Sequence, residues 1–335
     1  MRKAVMLYAE GRSCYLDRAY PEEVKKEIEK EYELFPMPIS SLQIDKHAEE
    51  LEAAEAVFAS WWMPELTVEQ IRQYFPNLKI LFYAAGSVQY FARPFMECGV
   101  RVVSGWAANG VPVAEYAAAQ IVLANKGFFQ NVRRMRADYD RARDYSDSFC
   151  GNYGAKAGIL GVGAVGSQVI SLLHSHEMEV WAYDPWLTEE RAEALGTQRH
   201  SLEEIFESCD VISNHVAQLP ETEGMISYDL LSRMKPYATL INTGRGSQIA
   251  EDDLVRAMKE VPSRTAVLDV TDPEPPKADS ELYKQENIIL TTHIAGSMGK
   301  EIGRIGQYIA EEARRYAHGA KLRYEISEAS LKTMA

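Results

Sequence analysis

The sequence lacks several features that mark common classes of protein. Its four cysteines, Cys14, Cys98, Cys150 and Cys209, are far apart and form no CxxC pair. This favours free thiols in a reduced cytoplasmic chain over a disulfide framework or a zinc site, and no metal is expected. No run approaches the ~20 apolar residues of a membrane span. The formal net charge of −13 argues against nucleic acid or anionic lipid as a partner. We therefore expect a small-molecule partner.

The N-terminal part of the chain alternates between apolar runs and polar helical patterns. With 335 residues, 46% of them apolar, the chain is long enough for two domains. The runs "AVMLYA", "AVFAS", "LKILFYAA" and "VRVVS" alternate with segments such as "PEEVKKEIEKEYEL". This alternation predicts a parallel sheet covered by helices and ending near Ser104. Residues 111–143, rich in Ala and with Pro112 near their start, predict one long helix or two in succession.

A second alternation follows "CGNYG". Its apolar runs are "KAGILGV", "EVWAYD", "DVISNH", "ATLINT", "TAVLDV" and "NIILTT", with helical patterns such as "EDDLVRAMKEV" between them. Six strands in βαβ succession predict a doubly wound parallel sheet of the dinucleotide-binding type. The segment "MGKEIGRIGQYIAEEARRYAHG" then predicts a long helix. Gly296, just before it, is expected to let the chain turn out of the last strand.

A glycine motif opens the second alternation. In "GILGVGAVGSQVI", Gly161, Gly163 and Gly166 fit G-x-G-x-x-G between a predicted strand and a predicted helix. The first glycine permits a tight turn, the second lets a pyrophosphate approach the backbone, and the third lets helix and strand pack closely. The phosphate is expected at the helix N-terminus.

An acidic residue ends the next predicted strand. Asp184 lies 184 − 161 = 23 residues after the first glycine, the interval expected for the acid that hydrogen-bonds the adenosine ribose. Its charge repels a 2′-phosphate, and no arginine follows at once in "DPWLTEE". NAD is therefore favoured over NADP.

Three further residues follow later strands of the same predicted sheet. They are Arg245 in "INTGRGS", Glu274 in "LDVTDPEPP" and His293 in "TTHIAGS". Because open α/β sheets bind ligands at the carboxyl ends of their strands, these loops are expected to meet in one crevice. Taken singly, each residue also has a purely structural interpretation.

Together the three residues provide what hydride exchange between NAD and a 2-hydroxy acid requires. Arg245 offers a planar fork to a carboxylate. His293 belongs to the residue type that exchanges protons near neutral pH, so it can serve as acid and base. A carboxylate such as Glu274, hydrogen-bonded to the imidazole, fixes its tautomer and orientation.

The motifs in this order resemble the NAD-dependent D-isomer-specific 2-hydroxyacid dehydrogenases. The resemblance runs through "GILGVGAVG", "YDP", "DVISNHVAQLPETEGMI", "INTGRGS", "LDVTDPEPP" and "THIAGS", from Gly154 to Ser297 at least. It implies that the catalytic arginine, glutamate and histidine of the family fall on Arg245, Glu274 and His293. It also implies further cofactor contacts at Ala164, Val165, Ala217, Thr222, Thr243, Gly244, Asp269 and Gly296.

The resemblance implies an architecture of two Rossmann-like domains. Residues 1–107, completed by 298–335, would form a flavodoxin-like substrate domain, and residues 108–297 the NAD-binding domain. It implies a homodimer formed through the NAD-binding domain. It also implies that the loop around Ala85, Gly86 and Ser87 offers backbone N–H groups to the substrate carboxylate.

The chain departs from the family pattern in ways that concern the substrate. Gln89, Tyr90 and Phe91 stand where relatives often have an Asp, and Trp61 and Trp62 follow the strand "AVFA". A Trp pair is more often part of a core or an interface, but a Trp in the cleft would favour a bulky or apolar 2-oxo acid. Gly244 stands where relatives often carry Ala, which we expect to have no mechanistic cost. His215 in "SNHVAQ" is expected to be a structural residue of the cofactor cleft.

Two other interpretations stay open at this stage. One is an NAD(H)-binding regulatory or corepressor-like module of the same fold, which can keep all three catalytic residues; the compact chain without basic extensions argues against it. Formate dehydrogenase shares the fold but has a glutamine where Glu274 stands. The 2-hydroxyacid dehydrogenase interpretation is therefore preferred.

Overall fold

The computed structural model describes residues 1–332, which fold into two compact units. The first unit comprises residues 1–110 with residues 297–332, and the second comprises residues 111–296. In chain order the strands are β1 (Arg2–Tyr8), β2 (Tyr32–Leu34), β3 (Ile39–Ser40), β4 (Ala56–Ala59), β5 (Ile80–Tyr83), β6 (Arg101–Ser104), β7 (Lys156–Leu160), β8 (Glu179–Tyr183), β9 (Gln198–Arg199), β10 (Val211–Asn214), β11 (Thr239–Asn242), β12 (Thr265–Leu268), β13 (Ile288–Leu290) and β14 (Glu325–Ile326).

The helices cover the sheets and connect their strands. They are α1 (Ser13–Ala19), α2 (Glu22–Glu29), α3 (Ala48–Ala53), α4 (Val68–Tyr74), α5 (Ala92–Glu97), α6 (Trp106–Asn125), α7 (Phe128–Met135), α8 (Tyr139–Ser146), α9 (Ala164–Leu173), α10 (Glu189–Ala194), α11 (Leu202–Ser208), α12 (Tyr228–Leu231), α13 (Glu251–Glu260) and α14 (Lys300–Ala317). None of the helices within residues 1–332 combines the length and the apolar character needed to cross a bilayer.

The first unit has a flavodoxin-like sheet. Its strands lie in the order β14-β6-β5-β4-β1-β2, with β3 also paired to β1, and all but the edge strand β14 are parallel. Successive side chains of β1, β4 and β5 enter two apolar clusters on opposite faces of the sheet: Val5, Val57 and Leu81 point to one, and Ala4, Phe58 and Phe82 to the other. Both faces are therefore buried, which explains the continuous apolar runs of these strands.

The second unit has a doubly wound parallel sheet. Its strand order is β13-β12-β11-β10-β7-β8-β9, and each neighbouring pair is parallel. The order reverses beside β7, so the loop after β7 lies at the switch point where such sheets bind ligands. The predicted fold class, α/β with two Rossmann-like domains, is confirmed.

Several details differ from the sequence-based expectation. Residues 106–146 form three helices instead of one or two, because Gly127 adopts φ +65° against the Phe149 ring and Asp138 caps α8. Pro112 lies inside α6 rather than at its start, because that helix already begins at Trp106. The strands β2, β3, β9 and β14 were not predicted, since two or three residues are too few to show a periodicity.

Candidate active site

The glycine turn lies between β7 and α9. Gly161 has φ +82°, a conformation that favours glycine, and a Cβ there would lie 2.7 Å from the backbone of His215 and Val216. A Cβ on Gly166 would lie 2.0 Å from the Gly161 carbonyl oxygen, so the third glycine permits close helix–strand packing. Nothing lies within 4 Å of the space beside Gly163. The turn thus leaves room for a ligand at the N-terminus of α9, the surroundings that a dinucleotide pyrophosphate requires.

Asp184 is held against the same turn. Its Oδ2 accepts a hydrogen bond from Val162 N at 2.8 Å, and its Oδ1 accepts one from Trp186 N at 2.8 Å. Arg191, on α10, also reaches the turn and donates from Nη2 to the Val162 carbonyl at 2.6 Å and to Ser167 Oγ at 3.4 Å. No arginine follows Asp184 at once along the chain, but folding brings the Arg191 guanidinium to the same turn.

The loops that carry Arg245, Glu274 and His293 follow adjacent strands. Arg245 comes after β11, Glu274 after β12 and His293 after β13, and these three strands are parallel neighbours. Parallel strands end at the same edge of a sheet, so the three loops emerge on one side.

His293 and Glu274 form a direct pair. His293 Nδ1 lies 2.8 Å from Glu274 Oε1, and the two side chains are 48% and 44% exposed. A carboxylate oxygen accepts the hydrogen bond from Nδ1–H, which leaves the Nε2 atom of the ring for another partner. The pair is the arrangement of an imidazole oriented by a carboxylate.

The backbone around His293 is fixed by Asp269. Asp269 is 2% exposed, and its Oδ1 accepts from Thr291 Oγ1 at 2.7 Å and from Ile294 N at 2.8 Å. Its Oδ2 accepts from Ala295 N at 2.9 Å, and its carbonyl accepts from His293 N at 3.0 Å. His293 has φ +58°, a left-handed conformation that is unfavourable for a residue with a side chain. Asp269 therefore holds the histidine in a conformation that the loop alone would not keep.

The segment after β13 bends at His293 and again at Ala295 and Gly296. His293 and Gly299 have φ +58° and +52°, and Gly299 caps α14. The bend at Gly296 agrees with the expectation that the chain turns there. No group of three or more His, Cys, Asp or Glu side chains in residues 1–332 is arranged to hold a metal ion.

Arg245 lies half-buried in the turn after β11. Its Nη1 donates to the Gly244 carbonyl at 2.8 Å. Burial lowers the pKa of the guanidinium, and the negative charge of Glu274 opposes this effect. Arginine nevertheless stays charged at any physiological pH.

Gly244 is tightly enclosed. A Cβ there would lie 2.7 Å from Gln248 Oε1 and 3.0 Å from Asn214 Nδ2. In this chain an alanine at this position would therefore meet polar side chains. That glycine here has no mechanistic cost stays a prediction.

The segment after β10 carries two of the predicted cofactor contacts, Ala217 and Thr222, and also His215. His215 hydrogen-bonds through Nε2 with Ser213 Oγ at 2.9 Å and through Nδ1 with Thr243 Oγ1 at 3.0 Å. Burial lowers the pKa of His215 to about 4, so the ring is neutral at physiological pH. Both ring nitrogens of His215 are engaged in hydrogen bonds, as its predicted structural role requires. In the same segment, Thr222 Oγ1 donates to the Ala217 carbonyl at 2.9 Å.

The loop Ala85–Ser87 follows β5 in the first unit. Ser104 Oγ lies 3.0 Å from the Ala85 carbonyl and 2.5 Å from the Gly86 carbonyl, so the carbonyl side of the loop is occupied. Among residues 1–332, no group accepts a hydrogen bond from the N–H of Gly86 or Ser87. These two amide groups are the kind of donors that bind a carboxylate.

The two tryptophans after β4 have different surroundings. Trp61 packs partly buried against the two apolar clusters of the first unit. Trp62 is 51% exposed, has φ +66°, and lies under the Arg12 guanidinium at 4.4 Å from its ring centroid. Trp61 is therefore a packing residue, whereas the ring of Trp62 has a face in solvent.

Sequence reasoning missed a buried group of amide side chains near Arg245. Asn214, Asn242 and Gln248 are fully buried and hydrogen-bonded to one another. Two of them end otherwise apolar strands, in "VISN" and "LIN", and a polar residue at that position is a signal that could have identified them.

The fold and the glycine turn define a protein with a Rossmann-type dinucleotide-binding domain. Residues 119–295 match the model of the NAD-binding domain of the D-isomer specific 2-hydroxyacid dehydrogenases. The chain belongs to this family, and its cofactor is NAD.

Similar proteins agree with the family assignment, and a solved structure agrees with the fold. The chain is 31% identical to D-3-phosphoglycerate dehydrogenase of Archaeoglobus fulgidus over 76% of its own length and 48% of that protein. It is 31% identical to the same enzyme of Haemophilus influenzae over 75% of its length and 62% of that protein. The chain thus spans about half the length of the first of these relatives. Its fold is similar to that of Rhodotorula graminis D-mandelate dehydrogenase, with a TM-score of 0.80, 21% identity and 98% coverage of both chains.

Proposed function

We propose that the protein is an NAD-dependent oxidoreductase that transfers a hydride between NAD(H) and a D-2-hydroxy acid or its 2-oxo acid. In this proposal Arg245 binds the substrate carboxylate, His293 is the acid and base, and Glu274 orients His293. The observation that carries the proposal is the 2.8 Å contact between His293 Nδ1 and Glu274 Oε1 at the edge of the NAD-binding sheet. A carboxylate–imidazole pair in this position suits proton exchange with a hydroxyl group.

The residues around the glycine turn suit NAD. The open space at Gly163, the N-terminus of α9 and the carboxylate of Asp184 offer a pyrophosphate and a ribose their usual partners. Ala164 and Val165 form the first turn of α9, while Ala217, Thr222, Thr243, Gly244, Asp269 and Gly296 are proposed for the rest of the cofactor. Bound NADH supplies the hydride that is added to C2 of the 2-oxo acid.

The chain's own residues supply the proton and hold the substrate. In reduction, His293 gives the proton on Nε2 to the oxygen at C2 as that oxygen gains negative charge. In oxidation, the neutral Nε2 takes the hydroxyl proton. Glu274 accepts the hydrogen bond from Nδ1 and so fixes the tautomer and the orientation of the ring. Arg245 binds the substrate carboxylate with its planar fork and attracts the developing charge on oxygen.

The first unit is proposed as the substrate domain. The N–H groups of Gly86 and Ser87, next to Ala85, have no acceptor among residues 1–332, which supports a role in binding the substrate carboxylate. Trp62 follows β4, and this loop follows β5, the neighbouring strand of the same sheet. We propose that Trp62 contacts the substituent at C3, which would favour a bulky or apolar 2-oxo acid.

The test is reduction of a panel of 2-oxo acids with NADH. The panel contains glyoxylate, pyruvate, hydroxypyruvate, 3-phosphohydroxypyruvate and phenylglyoxylate. The oxidation of NADH is followed at a saturating NADH concentration. His293→Ala should lower kcat by ~10² to 10⁴-fold while the NADH dissociation constant stays within a few-fold. Near-normal turnover in that variant would refute the role of His293. Tight NADH binding with no turnover of any acid would favour the regulatory module.

A homodimer formed through the NAD-binding domain is part of the proposal. Large apolar side chains on α6, α7 and α8 are exposed: Leu123, Phe128, Val132, Met135 and Tyr139. Exposed apolar patches of this kind often mark protein interfaces. Sedimentation analysis should give twice the chain mass for the wild type, and Val132→Glu with Met135→Glu should give the monomer. A monomeric wild type would contradict the proposal.

A further inference from the structure

Gln248 has a fully hydrogen-bonded amide next to Arg245. The side chain is 0% exposed. Its Oε1 accepts from Asn214 Nδ2 at 2.6 Å and from Arg245 N at 3.0 Å. Its Nε2 donates to the Val216 carbonyl at 2.7 Å and to the Ala217 carbonyl at 3.0 Å. These four bonds use both lone pairs and both N–H groups of the amide, so no other side chain of this size can replace it without loss.

The four partners of Gln248 belong to two separate loops. Asn214, Val216 and Ala217 lie at and after the end of β10, whereas Arg245 lies after β11. One buried amide thus ties together the turn that carries Arg245 and the segment that carries a predicted cofactor contact. The two loops follow β10 and β11, which are parallel neighbours. The hydrogen bonds of Gln248 therefore set the distance between the two loops beyond the last paired residues of these strands.

A second amide completes the attachment of Arg245. Asn242 Nδ2 donates to the Arg245 carbonyl at 3.0 Å, while Asn242 Oδ1 accepts from Gly244 N at 3.0 Å and from Asn214 Nδ2 at 2.9 Å. The backbone N–H and the carbonyl of Arg245 are therefore both held by buried side-chain amides, Gln248 on one side and Asn242 on the other. Loss of either contact would let the guanidinium move.

Gly244 makes room for this arrangement. Its φ is not in the left-handed region, so its conformation does not require glycine. A Cβ would instead lie 2.7 Å from Gln248 Oε1, 3.0 Å from Asn214 Nδ2 and 3.4 Å from Asn242 Oδ1. All three neighbours are polar atoms engaged in the hydrogen bonds just described, so a methyl group would displace them. The absence of a side chain at 244 and the presence of an amide at 248 therefore depend on each other.

We propose that Gln248 is a positioning residue that holds Arg245 and the Val216–Ala217 segment in one arrangement, and that Gly244 is required because Gln248 occupies the space beside it. The effect of Gln248 on substrate rests on the proposed role of Arg245. Its effect on the cofactor segment does not, and binding of NADH alone can measure it.

The first experiment is a double-mutant cycle between positions 244 and 248. Gly244→Ala should lower kcat/KM for the 2-oxo acid that the wild type reduces, and weaken NADH binding measured by fluorescence titration, each by about 10-fold. A Gln248→Ala background removes the shortest of the three contacts, so adding Gly244→Ala there should change both quantities clearly less than it does in the wild type. Equal effects of Gly244→Ala in both backgrounds, or no effect in either, would overturn the pairing.

The second experiment removes the hydrogen bonds of Gln248 and retains its volume. Gln248→Met should lower kcat/KM by about 10²-fold, because a displacement near 1 Å of a substrate-binding group has an effect of that size. It should also weaken NADH binding. If Gln248→Ala does not fold, the two single variants Gln248→Met and Gly244→Ala still test the proposal.

Asn287 offers a matched control in the same unit. It is a buried amide whose Nδ2 donates to the carbonyls of Met258 at 2.9 Å and Arg264 at 3.1 Å, away from Arg245. Asn287→Ala should also lower Tm, because it removes two buried hydrogen bonds, but it should leave kcat/KM and the NADH dissociation constant within about 2-fold. If both variants change activity in proportion to Tm, Gln248 is a stabilising residue only and the proposal fails. If the wild type reduces no 2-oxo acid, the proposed function fails, and NADH binding still decides the role of Gln248.

Discussion

Asp269→Asn should displace His293 without altering it. The Asp269 carboxylate accepts three hydrogen bonds, from Thr291 Oγ1, Ile294 N and Ala295 N, at 2.7, 2.8 and 2.9 Å. An asparagine can keep its oxygen toward the first two donors. Its NH₂ group then faces the N–H of Ala295, so one bond is lost and a buried donor has no acceptor.

The size of the effect follows from these contacts. A buried hydrogen bond to a charged acceptor contributes ~1.5 to 3 kcal/mol. In addition, His293 with φ +58° can release ~1 to 2 kcal/mol by returning to an ordinary conformation once the loop is freed. If the productive conformation of the loop is destabilised by about 2 kcal/mol, kcat should fall by roughly 30-fold.

Single-turnover reduction of the best 2-oxo acid at saturating NADH measures this effect. Thr291→Val, which removes one of the three bonds, should lower the rate less than Asp269→Asn does, and Thr291→Ser should leave it nearly unchanged. A rate for Asp269→Asn within about 2-fold of the wild type would refute the reasoning, since the loop would then keep His293 in place without the carboxylate.

Three other outcomes are expected. Arg245→Ala should raise KM for the 2-oxo acid by about 10²-fold in initial-rate assays with little change in NADH binding, because a charge-assisted fork is lost; an unchanged KM would contradict its role. Asp184→Ala should allow NADPH to be used, because the Arg191 guanidinium already lies at the turn and can bind the 2′-phosphate. Adding Arg191→Ala should abolish that gain. If NADPH use does not depend on Arg191, the guanidinium does not bind the 2′-phosphate. The folded-state pKa of His215, about 4, lies below the ordinary value near 6.5, so the unfolded chain takes up the proton first and stability falls as pH decreases from 6.5 to 4. Urea unfolding should show that the free energy of unfolding is about 2 kcal/mol lower at pH 5 than at pH 7. His215→Gln should reduce this difference, whereas the exposed control His174→Gln should not. An equal pH dependence in His215→Gln would rule out His215 as its source.

The parts of the fold that could be predicted are those with local patterns. The runs around β1, β4 and β7 are long, apolar and bounded by turn residues, because both faces of a parallel sheet are buried. The edge strands β9 and β14 have two residues each, and only pairing with a neighbour makes them strands. The break between α6 and α7 depends on how closely the Phe149 ring approaches Gly127, which the chain order does not reveal.

The candidate site divides in the same way. The spacing of Arg245, Glu274 and His293 on successive strands made them candidates from the sequence, and their catalytic roles stay predictions. Asp269 was expected only as a cofactor contact, yet it fixes the loop of His293. A carboxylate can accept donors from any direction, so its partners depend on the fold around it.

The sequence by itself determined the family, the glycine turn and the succession of the longer strands along the chain, because these depend on short patterns of residue type and spacing. Only the tertiary structure decided that Arg191 reaches the turn beside Asp184, that Gln248 joins two loops, and that a methyl group on Gly244 would meet Gln248 and Asn214. These contacts join side chains across neighbouring strands, and distances of a few ångströms through space follow from packing rather than from spacing along the chain.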